Sequence, residues 1–302
     1  MTTLELVAVE KSYGSTRALA DYSLQVPAGR VTAFVGANGA GKSTAMRLLG
    51  GLRTPDRGDV LLSGRALDTG DRGRIGHMPE ERGLYPDEPL RTQLHYFATL
   101  IGIPSRRTRS HVEEILERIG VAEIADRAFG ALSLGNRQRA QLALAVLGSP
   151  DFLLLDEPFS GLDVEGLRQV SDLVRSLASD GVGILVSSHQ LEVVAAISER
   201  VAVISDGRAV VEGELSDVLS ATARVLRLMF RHEGLSTADV QAFVARSGGR
   251  PRRRAGALIV EVALPAGHDI DGDLVAAAAA AGPLASVEVV QPSLRDILEA
   301  DR

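Results

Sequence analysis

An α/β fold built around a parallel sheet is what this sequence predicts, on three observations. The β-branched and aromatic run Val31-Thr32-Ala33-Phe34-Val35 passes directly into Gly36-Ala37-Asn38-Gly39-Ala40-Gly41-Lys42-Ser43-Thr44, and then into the helical Ala45-Met46-Arg47-Leu48-Leu49. A second apolar run, Phe152-Leu153-Leu154-Leu155, ends in two carboxylates, Asp156 and Glu157. A third, residues 183 to 188, ends at His189. Apolar runs of this length suit strands buried on both faces, and their C-terminal ends are where such sheets hold ligands.

The remaining elements follow in order. Residues 4–10 and 23–26 read as strands, separated by a loop holding Lys11-Ser12-Tyr13-Gly14. After the turn-rich Pro55-Asp56-Arg57-Gly58-Asp59, residues 60–63 read as another strand. Residues 74–79 lead into Glu80-Glu81-Arg82-Gly83-Leu84-Tyr85-Pro86, a loop bounded by prolines. From residue 90 to about 119 apolar side chains recur every three or four positions (Leu94, Phe97, Ala98, Ile101, then Val112, Ile115, Leu116, Ile119), which is helical periodicity. Gly102-Ile103-Pro104 divides this stretch into two helices. Leu132-Ser133-Leu134-Gly135-Asn136 opens a helix over 137–147 with Ser133 placed as an N-cap. Ser160-Gly161-Leu162-Asp163 is a tight turn before a helix that faces Leu167, Val170, Val174 and Leu177 inward. Asp206-Gly207, set between β-branched runs in 201–211, marks a hairpin.

The glycine-rich segment fits G-x-x-x-x-G-K-[ST], a phosphate-binding pattern. Gly36, Gly39 and Gly41 let the backbone wrap an anion, so that the amides of the loop from Asn38 and Ala40 to Thr44 can point inward. The helix that opens at Lys42 adds the positive end of its dipole. Lys42 can reach β- and γ-phosphates, and the Ser43 hydroxyl can ligate Mg²⁺. Asp156 would hold the same ion, and Glu157 could polarise a water for in-line attack. Tyr13 could stack on a purine, and His189 could donate to a γ-phosphate. Alone, each of these has a plainer reading: a surface tyrosine, two solvated acids, an exposed histidine.

Composition narrows the class. The chain has 302 residues, 45% of them hydrophobic, which suits two domains or one large domain with an appendage. Of 33 basic residues only Lys11 and Lys42 are lysines, so an arginine-rich chain keeps a compact ammonium at the loop. No run of eighteen apolar residues occurs, so a membrane span is not expected. No secretory signal is visible, and the absence of cysteine excludes disulfides and thiolate metal sites and agrees with a cytosolic setting. The net charge of −6 argues against general nucleic-acid binding.

The succession of phosphate loop, Ser-x-Gly helix start at Ser133 and Gly135, Leu-Leu-Leu-Asp-Glu-Pro, Ser-Gly-Leu-Asp and Ser-Ser-His resembles the ATP-binding cassette family across about residues 4 to 220. The segments around Glu80–Pro86 and Ser133–Asn136 resemble the branch serving bacterial ABC-2-type exporters, with its sodium-export-like and drug-resistance-like subunits. The resemblance implies an α/β P-loop NTPase (RecA-like) core in residues 1–220, with an antiparallel β subdomain and an α-helical subdomain over about 86–150. It also implies an ATPase using ATP and Mg²⁺. Tyr13, Gly36, Asn38, Gly39, Ala40, Gly41, Lys42, Ser43 and Thr44 would bind nucleotide; Ser43, Glu80 and Asp156 would serve the metal; and Lys42, Glu157 and His189 would serve hydrolysis. Two subunits would close head to tail around two ATPs, with Ser133 and Gly135 of one completing the other's site, and Asp163 would also be among the nucleotide-binding residues. The partners would be membrane-spanning permease subunits, gripped near the 80–85 loop, with the chain held at the inner face of the membrane. Two departures stand out. Glu80 occupies the family's usual glutamine position, and Leu132-Ser133-Leu134-Gly135-Asn136 replaces the common Leu-Ser-Gly-Gly-Gln. A soluble cassette ATPase acting on ribosomes or DNA is the alternative, and a non-hydrolysing nucleotide switch is a third reading.

From about residue 221 the pattern changes. Residues 224–230, 257–262 and 287–290 read as strands, and 236–245, 269–281 and 293–299 as helices. The resulting β-α-β-α-β-α order suits a small accessory α/β domain over 221–302. Arg250-Pro251-Arg252-Arg253-Arg254 reads as a solvated basic loop between helix and strand, with contact to lipid head groups as the alternative.

Overall fold

Val31–Val35, Phe152–Asp156 and Gly183–Ser187 are buried at every position. Segments with no wet face must lie side by side inside a sheet covered on both sides. The computed structural model describes residues 2–81, 83–222, 224–231, 237–254, 257–264 and 272–300, and within it these three segments are adjacent. The chain divides by internal packing into Met1–Leu215 and Ser216–Arg302.

In the first unit, β1 (Thr3–Tyr13) and β2 (Thr16–Pro27) form an antiparallel hairpin, followed by β3 (Val31–Val35) and α1 (Lys42–Leu49). Then come β4 (Arg57–Leu62), β5 (Arg65–Ala66) and β6 (Ile75–Met78), and three helices, α2 (Leu90–Leu100), α3 (Ser105–Ile119) and α4 (Leu134–Val146). The unit continues through β7 (Phe152–Asp156), α5 (Val164–Ser179), β8 (Gly183–Ser187), α6 (Leu191–Ile197), β9 (Arg200–Ser205) and β10 (Arg208–Glu214). α7 (Leu215–Ala221) carries the chain across the division.

Two sheets result. The larger has the order β10-β9-β3-β8-β7-β6, parallel except for the β9–β10 hairpin. The smaller, antiparallel sheet has the order β2-β1-β4-β5. Leu4, Leu6, Leu24 and Val26 of the small sheet pack with Met46 and Leu48 of α1 and with Phe34, Leu154 and Leu185 of the large one. The helices α2, α3 and α4 form a third body. Gly76 of β6 lies hard against α4: a Cβ placed there would stand 2.2 Å from the carbonyl oxygen of Ala145.

The second unit comprises β11 (Arg224–Phe230), α8 (Thr237–Ser247), β12 (Arg250–Arg254), β13 (Ala257–Leu264), α9 (Gly272–Ala281), β14 (Leu284–Val290) and α10 (Leu294–Ala300). Its sheet, in the order β12-β13-β11-β14, is wholly antiparallel. Val240 and Phe243 of α8 and Ala278 of α9 bury Leu226, Leu228, Phe230, Val260 and Val262. This is a split β-α-β, ferredoxin-like arrangement.

Several expectations are corrected here. Lys11, Ser12 and Tyr13 are not loop but the last residues of β1, with the turn confined to Gly14 and Ser15. The α4 helix begins at Leu134 rather than 137, because Ser133 caps it by accepting from the Asn136 N–H at 3.3 Å. Arg250 to Arg254 is an edge strand rather than a loop, so the order is β-α-β-β-α-β-α. Arg82 and the expected helix starts at 236 and 269 lie outside the described residues.

Candidate functional site

β3 delivers the chain into a loop that its surroundings hold tightly. A Cβ on Gly36 would stand 2.4 Å from the Ile204 carbonyl oxygen, and one on Gly41 would stand 2.6 Å from that of Ala18. Gly39 and Gly41 adopt φ of 81° and 111°, left-handed values that suit glycine. The β9–β10 turn buttresses the loop: Gly207 donates its N–H to Ala40 O and accepts from Ala20 N, both at 2.9 Å. With its shape set from outside, the loop keeps its inner face for a ligand.

Lys42, only 8% exposed, folds back so that Nζ donates to Gly36 O at 2.7 Å and Ala37 O at 3.0 Å. Burial lowers its pKa, against the opposing pull of Glu157, Asp156 and Glu80. The Ser43 hydroxyl donates to Asp156 Oδ2 at 2.9 Å. Asp156 Oδ1 accepts from the Ser187 hydroxyl at 2.5 Å, and the two residues pair across β7 and β8. Glu157 follows with φ of 52°, and its N–H donates to Ser187 O at 3.2 Å and Ser187 Oγ at 3.1 Å. A non-glycine residue in that region is strained, and here the strand-end serine holds it there.

The Glu157 carboxyl is buried, which raises its pKa despite the nearby His189 and Lys42. Its Oε2 accepts from the His189 N–H at 3.2 Å. Its Oε1 is buried, accepts no hydrogen bond and lies 3.3 Å from His189 Nε2. Around these groups opens a cleft of about 350 Å³, lined by Ala18, Glu80 and the phosphate loop together with Asp156, Glu157 and His189.

Of the expected site residues, Asn38, Gly39, Gly41, Lys42, Ser43, Thr44, Glu80, Asp156, Glu157 and His189 line this cleft. Gly36 and Ala40 shape the loop behind it. Tyr13 does not line it: the residue is 43% exposed, with Lys11 Nζ 5.8 Å from the ring centroid. Ser133 and Asp163 lie elsewhere as N-caps of α4 and α5, Asp163 accepting from Gly166 N at 2.8 Å, and Gly135 follows Ser133 in the first turn of α4. Sequence reasoning missed Ser187 as a site residue. The available signal was a pair of serines closing an otherwise apolar run.

The donor set fits a nucleotide-borne magnesium ion. Ser43 and Asp156 present hard oxygen atoms side by side, Glu80 adds a carboxylate at the rim, and Mg²⁺ favours one or two carboxylates plus phosphate oxygens over an all-protein cage. No cluster of three or more His, Cys, Asp or Glu that could hold a metal occurs among the described residues, so no such cage competes.

A parallel sheet whose first buried strand runs into a glycine cradle with a lysine, facing two acids at the end of a neighbouring strand, defines a P-loop nucleoside triphosphatase. The family model described as "ABC transporter" matches residues 19–160. An uncharacterized ABC transporter ATP-binding protein of Bacillus subtilis, YhaQ, is 33% identical over 298 residues, covering 96% of this chain and 95% of that one. The lantibiotic transport ATP-binding protein SrtF of Streptococcus pyogenes is 33% identical over 211 residues, 70% of this chain and 90% of its own. A solved ATP-binding subunit of an ABC transporter is similar with a TM-score of 0.64 and 27% identity, covering 71% of this chain and 91% of that chain. The chain belongs to the ABC transporter family as an ATP-binding subunit, and it is an ABC transporter ATPase.

Proposed function

We propose that this chain hydrolyses MgATP in the Lys42–Glu157 cleft and thereby drives a bacterial exporter whose membrane-spanning subunits are separate chains. One observation carries the proposal: Lys42, Ser43, Asp156, Glu157 and His189 converge on a single cleft at the C-terminal ends of β3, β7 and β8. The loop amides and Lys42 bind the triphosphate, and Ser43 and Asp156 hold the metal, with Glu80 at the rim. A magnesium ion held there by Ser43 and Asp156 would supply charge neutralisation to the triphosphate. Glu157 takes the proton of the attacking water at the unpartnered Oε1, and His189, at the rim, orients the terminal phosphate.

Ser133, Gly135 and Asp163 are assigned to the cleft of a second subunit closing head to tail, which accounts for their absence from the lining of this one. Residues 1–220 are assigned as the nucleotide-binding domain and 221–302 as the accessory domain. Exposed Tyr85, Tyr96, Leu100 and Ile101 supply an apolar surface for the permease. Gln93 holds the adjoining loop by accepting from Tyr85 N at 2.7 Å and donating to Tyr85 O and Glu88 O at 2.9 Å each. Among the described residues no helix is long and apolar enough to cross a membrane, so passage through the bilayer is assigned to the partner. The export direction and the ABC-2-type branch rest on the sequence resemblance, with the lantibiotic transport relative in support.

The test is affinity purification of the whole chain from detergent-solubilised membranes, with ATPase assay of the product. Recovery of a protein with several hydrophobic spans, and MgATP hydrolysis that ends with Glu157→Gln, is the expected result. Recovery of ribosomes without such a partner would overturn the transport reading.

A further inference from the structure

The helices α2 and α3 carry two kinds of arginine. Arg91 meets Glu113 and Asp126, and Arg118 meets Asp180. Arg106, Arg107 and Arg109, all near the start of α3, are exposed, and among the described residues their guanidinium groups meet no acceptor. The first turn of α3 holds no carboxylate. Cations at that end of a helix oppose its dipole, so the three arginines do nothing for the stability of α3. Nor do they belong to a generally basic surface, since the chain carries a net charge of −6.

The corner that bears them is firmly built. Only residues 101–104 lie between Leu100, the last residue of α2, and Ser105, the first of α3. Within that link Ile103 N donates to Ala98 O at 3.0 Å. The buried Thr108 hydroxyl closes it from the other side, 3.3 Å from Ile103 O and 3.2 Å from Pro104 O. The arginines therefore follow directly on Leu100 and Ile101, exposed apolar residues already assigned to the permease contact.

We propose that Arg106, Arg107 and Arg109 bind the anionic phospholipid head groups of the leaflet that surrounds the permease. The placement rests on the transport reading: a surface that meets a membrane-spanning chain at Leu100 and Ile101 has the head groups of that leaflet beside it. The chemistry fits, because a guanidinium offers a planar fork of donors matched to phosphate oxygens. The geometry favours lipid over an acidic stretch of the permease. At about 100° per residue the three positions spread over about 160° of the circumference of α3. A protein segment lying along the helix meets one of those directions. A flat array of phosphates approached by the end of α3 meets all of them.

The test uses the whole chain without permease, and vesicles of phosphatidylglycerol and phosphatidylcholine in equal parts, with phosphatidylcholine alone for comparison. Co-sedimentation should show binding to the anionic vesicles only, weakening as salt is raised. Arg106→Gln, Arg107→Gln and Arg109→Gln should each weaken it about fivefold, and the triple variant about 100-fold. The triple variant should melt no lower than the parent, since no partner is lost and the opposition to the helix dipole is relieved. Arg250→Gln with Arg252→Gln, both exposed on β12, should leave vesicle binding unchanged. A parent that ignores anionic vesicles, a triple variant that binds undiminished, or a loss that follows the β12 substitutions instead would overturn the proposal. So would a triple variant that keeps its vesicles but no longer recovers a membrane-spanning protein from detergent extracts, which would assign the patch to an acidic stretch of the permease. Failure of the transport reading itself shows separately, as ribosomes in place of a membrane protein in the extracts of the parent.

Discussion

Glu157 and His189 meet at two points: the His189 N–H donates to Glu157 Oε2 at 3.2 Å, and His189 Nε2 stands 3.3 Å from Glu157 Oε1. The backbone thus fixes one carboxylate oxygen, while the other is buried and accepts nothing. A general base needs this arrangement, held firmly at one oxygen and free to take a proton at the other.

Glu157→Gln keeps an acceptor for the His189 N–H but cannot take a proton. Turnover should fall about 10²- to 10⁴-fold while MgATP still binds. Single-turnover hydrolysis beside a nucleotide-binding titration measures both quantities. Full activity in the variant would remove Glu157 from the chemistry.

Burial raises the pKa of Glu157, so native chain binds this proton more readily than unfolded chain does. Between the ordinary glutamate value and the raised one, the native state holds more protons, and stability falls as pH rises. The stabilising contribution is complete below the unfolded value and gone above the folded one. Thermal melts of Glu157→Gln, which cannot ionise, should therefore exceed those of the parent near neutral pH, with the gap closing in acid. A gap that widens on acidification contradicts the assignment.

Removing the ammonium by Lys42→Ala should weaken nucleotide binding by about tenfold or more, the scale of a charge-assisted hydrogen bond. Isothermal titration with MgATP reads the loss directly. Unchanged affinity and turnover would refute the phosphate role of this loop.

Glu80, exposed at the cleft rim, adds a third carboxylate near Lys42. Glu80→Gln removes that charge, and MgATP affinity at low ionic strength should rise by about two- to fivefold, shrinking as salt screens the site. An affinity that drops instead would assign Glu80 a direct and necessary share in holding the metal.

Ser187 joins β8 to both acids, donating to Asp156 and accepting from the Glu157 N–H. Ser187→Ala leaves a buried carboxylate oxygen short of a donor and should cost about 1.5–3 kcal/mol of stability. Urea unfolding gives the value, and restoration by Ser187→Thr would separate the lost hydroxyl from a packing defect.

Legibility in the sequence tracked how local each feature is. The cradle from Gly36 to Thr44 is written in consecutive residues, and β3, β7 and β8 are apolar runs that identify themselves. Ser187 was not legible as a site residue, because its role depends on the register that sets it opposite Asp156. Lys11 and Ser12 read as loop because they are polar, yet pairing with Leu19 and Arg17 extends β1 through them. The strand from Arg250 to Arg254 carries no strand signature at all and is defined by its pairing with β13. Composition cannot report an element that its neighbour creates.

Gly76 and Ala145 form a joint without clearance. α4 begins beside Ser133 and presses at its far end on β6, the strand that leads to Glu80. Packing this close leaves no slack between the end of α4 and the strand that leads to Glu80. Fitting even a methyl group at position 76 would shim that joint apart.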